Sequence, residues 1–319
     1  MKPTRYIALA LVLLAAPATA QTSPRLPFAG QAVTLIEPSG AGTVTRIVAE
    51  LLKPGLEQAL GATVTVETVP SPETVQAFER IVAAKPDGRT LLIMSDASRQ
   101  FYEYLAKPRM LMDMLTPVAK LTDGISLTLA ATAKSPLQNY DMLKAALKAN
   151  RGPVLALNGN SSPSGIFAAI IEDNGGGRFS DRLFDIDFQI DDSLRAGKAE
   201  LGILPTPAMF RPSGKDNELR ALLTSGARRH PKLPDVPTLA EVTGKKKQSF
   251  TAALGIYAPP NTPVELTDPL ARALVAASQT PSAKEGAEKA SIPLNVQNSI
   301  VLRESTARAK RVITDLLAQ

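Results

Sequence analysis

The sequence predicts an α/β protein of two lobes, with the chain passing twice between them. Three observations carry this. Between residues 32 and 94, short apolar runs alternate with segments of helical spacing in the order strand, helix, strand, helix, strand. That order implies a parallel sheet covered on both faces by helices. A second round of strands and helices fills residues 126–224, and a late apolar strand at 252–257 is followed by three helical segments. If those last elements pack on the first lobe, the chain crosses near Ile125 and again near Phe250. The expected division is then residues 21–125 with 250–319 as one lobe and 126–249 as the other.

Taken in order, residues 32–36 are the first strand and Ser39-Gly40-Ala41-Gly42 is the turn after it. Residues 43–60 read as a helix because Ile47, Leu51, Leu52, Leu56 and Leu60 recur at helical spacing. Residues 62–66 alternate as a second strand, and 73–84 suit a helix stopped at Lys85-Pro86-Asp87-Gly88. Residues 90–94 are an apolar third strand, and another strand at 125–131 leads into the second lobe. There, 141–149 and 162–173 are helical, the latter with Ile166, Phe167 and Ile170 in its stripe. Strands are expected at 154–157, 184–190, 201–204 and 219–224. After the strand at 252–257, helices cover 263–277, 282–290 and 302–317. No internal repeat interrupts this order, which excludes a solenoid.

The N-terminus predicts export. Lys2 and Arg5 precede an apolar run over residues 6–16, which closes on Ala18-Thr19-Ala20, small residues spaced as a signal peptidase reads them. The run is shorter than the roughly 20 apolar residues of a bilayer span, and no Cys follows it to take a lipid. A signal peptide over residues 1–20, cleaved after Ala20, is the expectation. About 300 residues then remain, enough for two cores, with no later segment apolar enough to span a membrane. The chain contains 0 Cys, which removes disulfides, thiolate metal sites and a Cys nucleophile together. Net charge is +6, or +4 without Lys2 and Arg5. The densest basic runs, Lys245-Lys246-Lys247 and Arg228-Arg229-His230, are not interleaved with aromatics, so no nucleic-acid partner is expected.

In an open α/β sheet, ligands sit beyond the carboxyl ends of the strands. Two strand-to-helix turns stand there. The first is Ser39, Gly40, Ala41, Gly42 and Thr43, whose glycines let the backbone approach a ligand and whose helix-start N–H groups favour an anion. The second, in the other lobe, is Asn158, Gly159, Asn160, Ser161 and Ser162, with amides and hydroxyls suited to capping a helix or donating to a carboxylate. Each alone reads as a helix cap; two of them facing one cleft read as a ligand grip. Ser95 ends the third strand at the same edge and joins the candidates, whereas the charge of Asp96 would repel an anion.

Other chemistries fall away. The first turn lacks a full Gly-x-Gly-x-x-Gly, and no Gly-Lys-Ser/Thr follows it, so no nucleotide cofactor is expected. His230 is the sole histidine, sits between Arg229 and Pro231, and has no Gly-x-Ser-x-Gly elbow to serve. Asp185, Asp187, Asp191 and Asp192 lack the glycine and terminal Glu of a calcium loop and read as a strand edge and a helix cap. No catalytic residue, cofactor or metal is expected.

Several stretches belong together. They are Leu219-Arg220-Ala221-Leu222-Leu223-Thr224-Ser225 continuing to Lys232-Leu233-Pro234-Asp235-Val236-Pro237-Thr238-Leu239-Ala240-Glu241, then Lys85-Pro86-Asp87-Gly88-Arg89-Thr90-Leu91-Leu92. Leu115-Thr116-Pro117-Val118-Ala119 and Gly255-Ile256-Tyr257-Ala258-Pro259-Pro260-Asn261-Thr262-Pro263 complete the set. On these the chain resembles the substrate-binding proteins of the tripartite tricarboxylate transporters, the Bug proteins. The resemblance implies a type II periplasmic binding protein fold, two α/β lobes joined by a two-crossing hinge. It implies a periplasmic monomer that closes on a small organic acid and delivers it to membrane permease subunits.

The chain departs from that family at the cleft. The first turn stands for a Pro-Gly-Gly-Gly-Thr-Asp loop: Thr43 matches, Gly40 and Gly42 match roughly, Ser39 and Ala41 replace family residues, and Val44 replaces the Asp. In the second, Ser162 fills a family serine and Gly165 replaces a histidine. Pro70-Ser71-Pro72-Glu73-Thr74 replaces a glycine loop, Gln189-Ile190-Asp191 replaces a Pro-Tyr-Lys-Gly turn, and Leu204-Pro205 stands where an Asp is common. Two readings stay open: capture of an acid for transport, or a sensing or interaction protein feeding a membrane sensor, with carboxylate binding altered or lost. A third, an exported hydrolase using Ser162 or Ser95 with His230, rests on residue counts alone.

Overall fold

The structure, a computed structural model, describes residues 27–70, 75–96, 112–132, 134–159, 162–184, 187–211, 218–245 and 248–317. The expected leader, residues 71–74 of the Pro70–Thr74 replacement, Asp185, Lys246 and Lys247 lie outside the described residues.

The chain begins with β1 (Ala32–Glu37), α1 (Val44–Leu60), β2 (Thr63–Thr68), α2 (Val75–Ala83) and β3 (Thr90–Ser95). Helix α1 forms where the apolar stripe demands it, burying Val48, Leu52, Leu56 and Leu60. It starts at the Thr43 cap and stops at Gly61, whose φ of 62° lies in the left-handed region that favours glycine. Both β2 and β3 pair in parallel with β1, as the βαβαβ pattern requires. Strand β3 is buried on both faces: Leu91 and Ile93 enter one core, Leu92 and Met94 the other.

The sheet is mixed, however, and not parallel throughout. Next comes β4 (Thr116–Thr122), after which the chain leaves this sheet. The second sheet is built from β5 (Leu127–Thr132), α3 (Tyr140–Lys148), β6 (Val154–Leu157), α4 (Pro163–Gly175), β7 (Asp181–Phe184), α5 (Asp187–Arg195), β8 (Leu201–Pro205) and β9 (Leu219–Thr224). The short α6 (Leu239–Thr243) follows, and the chain returns through β10 (Leu254–Ala258), α7 (Val264–Ser278), α8 (Pro281–Lys289), β11 (Leu294–Asn298) and α9 (Ser299–Leu317). The strand orders are β11-β4-β10-β3-β1-β2 and β7-β6-β8-β5-β9. Because β4 carries the chain out of the first lobe and β10 carries it back, these neighbours must run in opposite directions, and they do. Antiparallel pairing of β10 with β3 and of β11 with β4 completes that half.

The two crossings meet. Ile125, between β4 and β5, pairs with Ala252, between β9 and β10, through N–H···O bonds of 2.7 and 2.8 Å. Each sheet has its own two-sided core, so the molecule is two α/β lobes joined at this bridge.

Some strand expectations change. Residues 184–190 do not form a strand: β7 ends at Phe184, and Asp187–Arg195 is helical. The helix wins because Ile190 and Leu194, four apart, are both buried against Gly202 of β8. Strand β5 begins at Leu127, with Ile125 left in its isolated bridge. Strands β4 and β11 were not anticipated as elements.

Candidate functional site

The site starts from two helix ends. In the first turn Thr43 caps α1, its Oγ1 accepting from the Arg46 N–H at 3.3 Å, while its own N–H reaches the Gly40 carbonyl. Ile47 N–H bonds the Thr43 carbonyl. An α-helix leaves its opening N–H groups without intrahelical acceptors, so Val44 and Thr45 are the donors this end offers. The second turn repeats the arrangement. Ser162 Oγ accepts from the Gly165 N–H at 3.2 Å and donates to the Gly159 carbonyl at 2.7 Å. Pro163 at the first helical position has no N–H to satisfy, and Ile166 N–H bonds the Ser162 carbonyl. Ser164 therefore supplies the open backbone donor of α4. Its hydroxyl ties the turn, accepting from Asn158 N–H at 3.1 Å.

Both ends face one cavity of about 120 Å³ between the lobes. Ser39, Thr43, Val44 and Thr45 line it from the first lobe, with Ser95 at the end of β3; Asn158, Ser162, Pro163 and Ser164 line it from the second. Met94, Ile125, Leu127, Ile203 and Leu254 make much of the remaining wall apolar. The helices have 17 and 13 residues, so each presents the positive end of a developed macrodipole, about half an elementary charge. Two such ends, with a handful of hydroxyls and, among the described residues, no lysine or arginine in the lining, suit one small anionic group attached to an apolar body.

The expected residues divide. Ser39, Thr43, Ser95, Asn158 and Ser162 line this cavity; Gly40, Ala41, Gly42 and Gly159 do not. Asn160 and Ser161 lie outside the described residues. Within the first turn the Ser39 and Gly40 N–H groups are taken up by the chain itself. Glu37, at the end of β1 and fully buried, accepts from Ser39 N–H at 2.7 Å and from Gly40 N–H at 2.9 Å. The hydroxyls of Thr45, Thr68 and Thr43 lie 2.7, 3.3 and 3.4 Å from its oxygens. An acid of the chain itself thus fills the anion-binding side of the turn. The sequence signal for this was a charged residue closing an otherwise apolar strand. Thr45 and Ser164 were missed as cavity residues because each lies just inside its helix, past the turn.

Other titratable groups take structural roles. Asp96 is buried and bonds the Ala253 N–H at 2.8 Å and the Ser305 hydroxyl at 2.6 Å, which fixes the entry to β10. His230 does not line the cavity that Ser95 and Ser162 share; it stacks on Phe210 at 5.2 Å. Burial, and then the charge of Lys232, hold its pKa below the usual histidine value. Asp191 and Asp192 are on α5, and Asp191 pairs with Arg195 at 3.0 Å. Among the described residues no group of three His, Cys, Asp or Glu side chains could hold a metal ion, and no helix is long and apolar enough to cross a membrane.

Residues 45–317 match the family model described as tripartite tricarboxylate transporter family receptor. A UPF0065 protein of Bordetella bronchiseptica is 29% identical over 278 residues, covering 84% of this chain and 78% of that protein. The periplasmic binding protein BugD has a similar structure, with a TM-score of 0.78 at 22% identity, over 90% of this chain and 95% of that one. MatC from Rhodopseudomonas palustris, a structure with bound malate, is similar at a TM-score of 0.76 and 21% identity, over 89% and 99% of the two chains.

Proposed function

The chain belongs to the tripartite tricarboxylate transporter receptor family, and we propose that it is a periplasmic receptor that captures a small carboxylate between its lobes and presents it to the membrane subunits of such a transporter. The observation that carries the proposal is the convergence of two helix N-termini on one cavity between the lobes. Val44, Thr45 and Ser164 N–H groups would donate to the carboxylate, with Ser39, Ser95 and Asn158 beside it. Each charge-assisted hydrogen bond of this kind is worth about 1.5–3 kcal/mol. Met94, Ile125, Ile203 and Leu254 would take the carbon skeleton. The malate bound in the structure of MatC supports an organic acid as the ligand class.

The proposal includes the mature form and its motion. Cleavage after Ala20 would leave lobes of residues 21–125 with 250–319 and 126–249, turning about the Ile125–Ala252 bridge. Closure adds affinity only as far as the acid contacts the closed form better than the open one. No catalytic step is assigned. Ser162 is committed to its cap, and His230 lies away from the cavity.

A thermal-shift screen of small mono-, di- and tricarboxylates on the mature chain tests this. At least one acid should raise the unfolding midpoint in a saturable, concentration-dependent way. A flat response across a broad acid library would sink the carboxylate reading.

A further inference from the structure

A second cavity, of about 290 Å³, lies beside the central one and shares Thr43, Val44 and Pro205 with it. Both lobes build it. The first contributes the Gly42 turn and Lys289 at the end of α8; the second contributes the turn Thr206–Phe210 and, after it, Arg211. Among the described residues its lining holds two cationic side chains and no aspartate or glutamate.

Arg211 is under-compensated. Its Nε is buried without a hydrogen-bond partner among the described residues. Among the described residues it pairs with one acid, Asp191, 3.9 Å from Nη2, and that carboxylate already holds Arg195 at 3.0 Å. One carboxylate therefore stands against two guanidinium groups. Among the described residues Lys289 makes no ion pair, and it faces the same cavity. Arg211 also crosses between lobes: a Cβ on Gly42 would lie 2.9 Å from its Nη1. Glycine at 42, with φ of 79°, leaves room for a guanidinium from the opposite lobe.

We propose that this side cavity is an anion site, where Arg211 and Lys289 hold a carboxylate or other small oxyanion across the lobe boundary. A guanidinium fork suits a planar or tetrahedral oxyanion bidentately, and the lysine adds a point charge. Since the walls come from both lobes, an anion there favours the closed arrangement. The anion is either a second acid group on the ligand of the central cavity or a separate small ion. The first source rests on the carboxylate capture proposed above; the second does not.

The experiment uses calorimetric titration of the mature chain and of the double variant Arg211→Gln, Lys289→Gln at fixed ionic strength. Hexanoate, adipate and inorganic sulfate are the probes, and Arg211→Lys is the charge-preserving control. If the second acid group is on the ligand, adipate binds about tenfold or more tighter than hexanoate. The double variant then loses that gain, Arg211→Lys keeps part of it, and hexanoate binding is unchanged. If the anion is separate, sulfate binds the mature chain and not the double variant, while adipate shows no gain. Hexanoate binding with neither an adipate gain nor sulfate binding overturns the inference and leaves the carboxylate receptor standing. Failure of every carboxylate with retained, Arg211-dependent sulfate binding supports the anion site and sinks the receptor reading. Unfolding midpoints measured without anion confirm that the variants are folded.

Discussion

Replacing Glu37 by alanine should cost the fold about 3–5 kcal/mol, because the side chain is the acceptor around which the first turn is built. Glu37 is fully buried and takes two backbone N–H groups, Ser39 at 2.7 Å and Gly40 at 2.9 Å, with the Thr45 hydroxyl at 2.7 Å. The hydroxyls have alternatives: Thr43 Oγ1 lies 2.7 Å from the Gly40 carbonyl and 3.0 Å from Thr45 Oγ1. The two N–H groups have none, and each buried donor left unpaired costs about 1–3 kcal/mol. The cavity left by the shortened side chain adds to that. Glu37→Gln keeps one carbonyl oxygen for the N–H pair and lets the hydroxyls turn to accept, so its cost should be nearer 1–2 kcal/mol. Urea unfolding followed by far-ultraviolet circular dichroism measures both, since the chain has 0 Trp to report by fluorescence. An alanine variant within about 1 kcal/mol of the parent would refute the claim that an internal carboxylate organises the turn.

Three further predictions follow from single groups. Ser162→Ala removes the α4 cap and should lower stability by about 1 kcal/mol in the same urea assay. Glu172 is buried, which pushes its carboxyl up, but bonds from Arg182, Arg178 and the Phe179 N–H outweigh this and hold it below the usual carboxylate range. Its contribution is therefore present above about pH 4.3 and lost as pH falls through the lower folded value. Glu172→Gln should cost about 2 kcal/mol at neutral pH and flatten the acid limb of a stability–pH profile. His230 is shifted down by burial and by Lys232, so the unfolded chain binds its proton more readily. Stability should fall between about pH 7.5 and 5.5, and His230→Asn should remove that slope, as urea midpoints at the two pH values would show.

Much of the fold was legible because periodicity reports burial. The stripe of α1 and the two-faced apolar run of β3 read directly as what they are. Where burial is one-sided or mixed with polar residues, the reading failed. In β11, Leu294–Asn298, only Val296 is buried, so nothing in the local pattern announces a strand. β4 carries Pro117 near its start, ahead of the residues that pair with β11 and beside a register shift against β10. Across residues 184–190 the alternation mimicked a strand, and only packing on β8 decides for a helix over Asp187–Arg195.

The candidate site was legible as a pair of turns but not as a set of donors. Glycine, serine and threonine between a strand and a helix mark both turns. Which way each N–H points depends on Glu37 and on the caps, and composition does not encode that. The Arg211–Gly42 approach joins residues far apart in the chain and belongs to tertiary structure alone.

An acid held between the two helix N-termini would register in the backbone amide shifts. With the acid that stabilises the mature chain best, nitrogen-15 correlation spectra should show the largest changes at Val44, Thr45 and Ser164. Gly40, bonded to Glu37, should move much less. Saturable binding that leaves Val44, Thr45 and Ser164 unperturbed while shifting amides elsewhere would show that the acid does not sit between these helix ends.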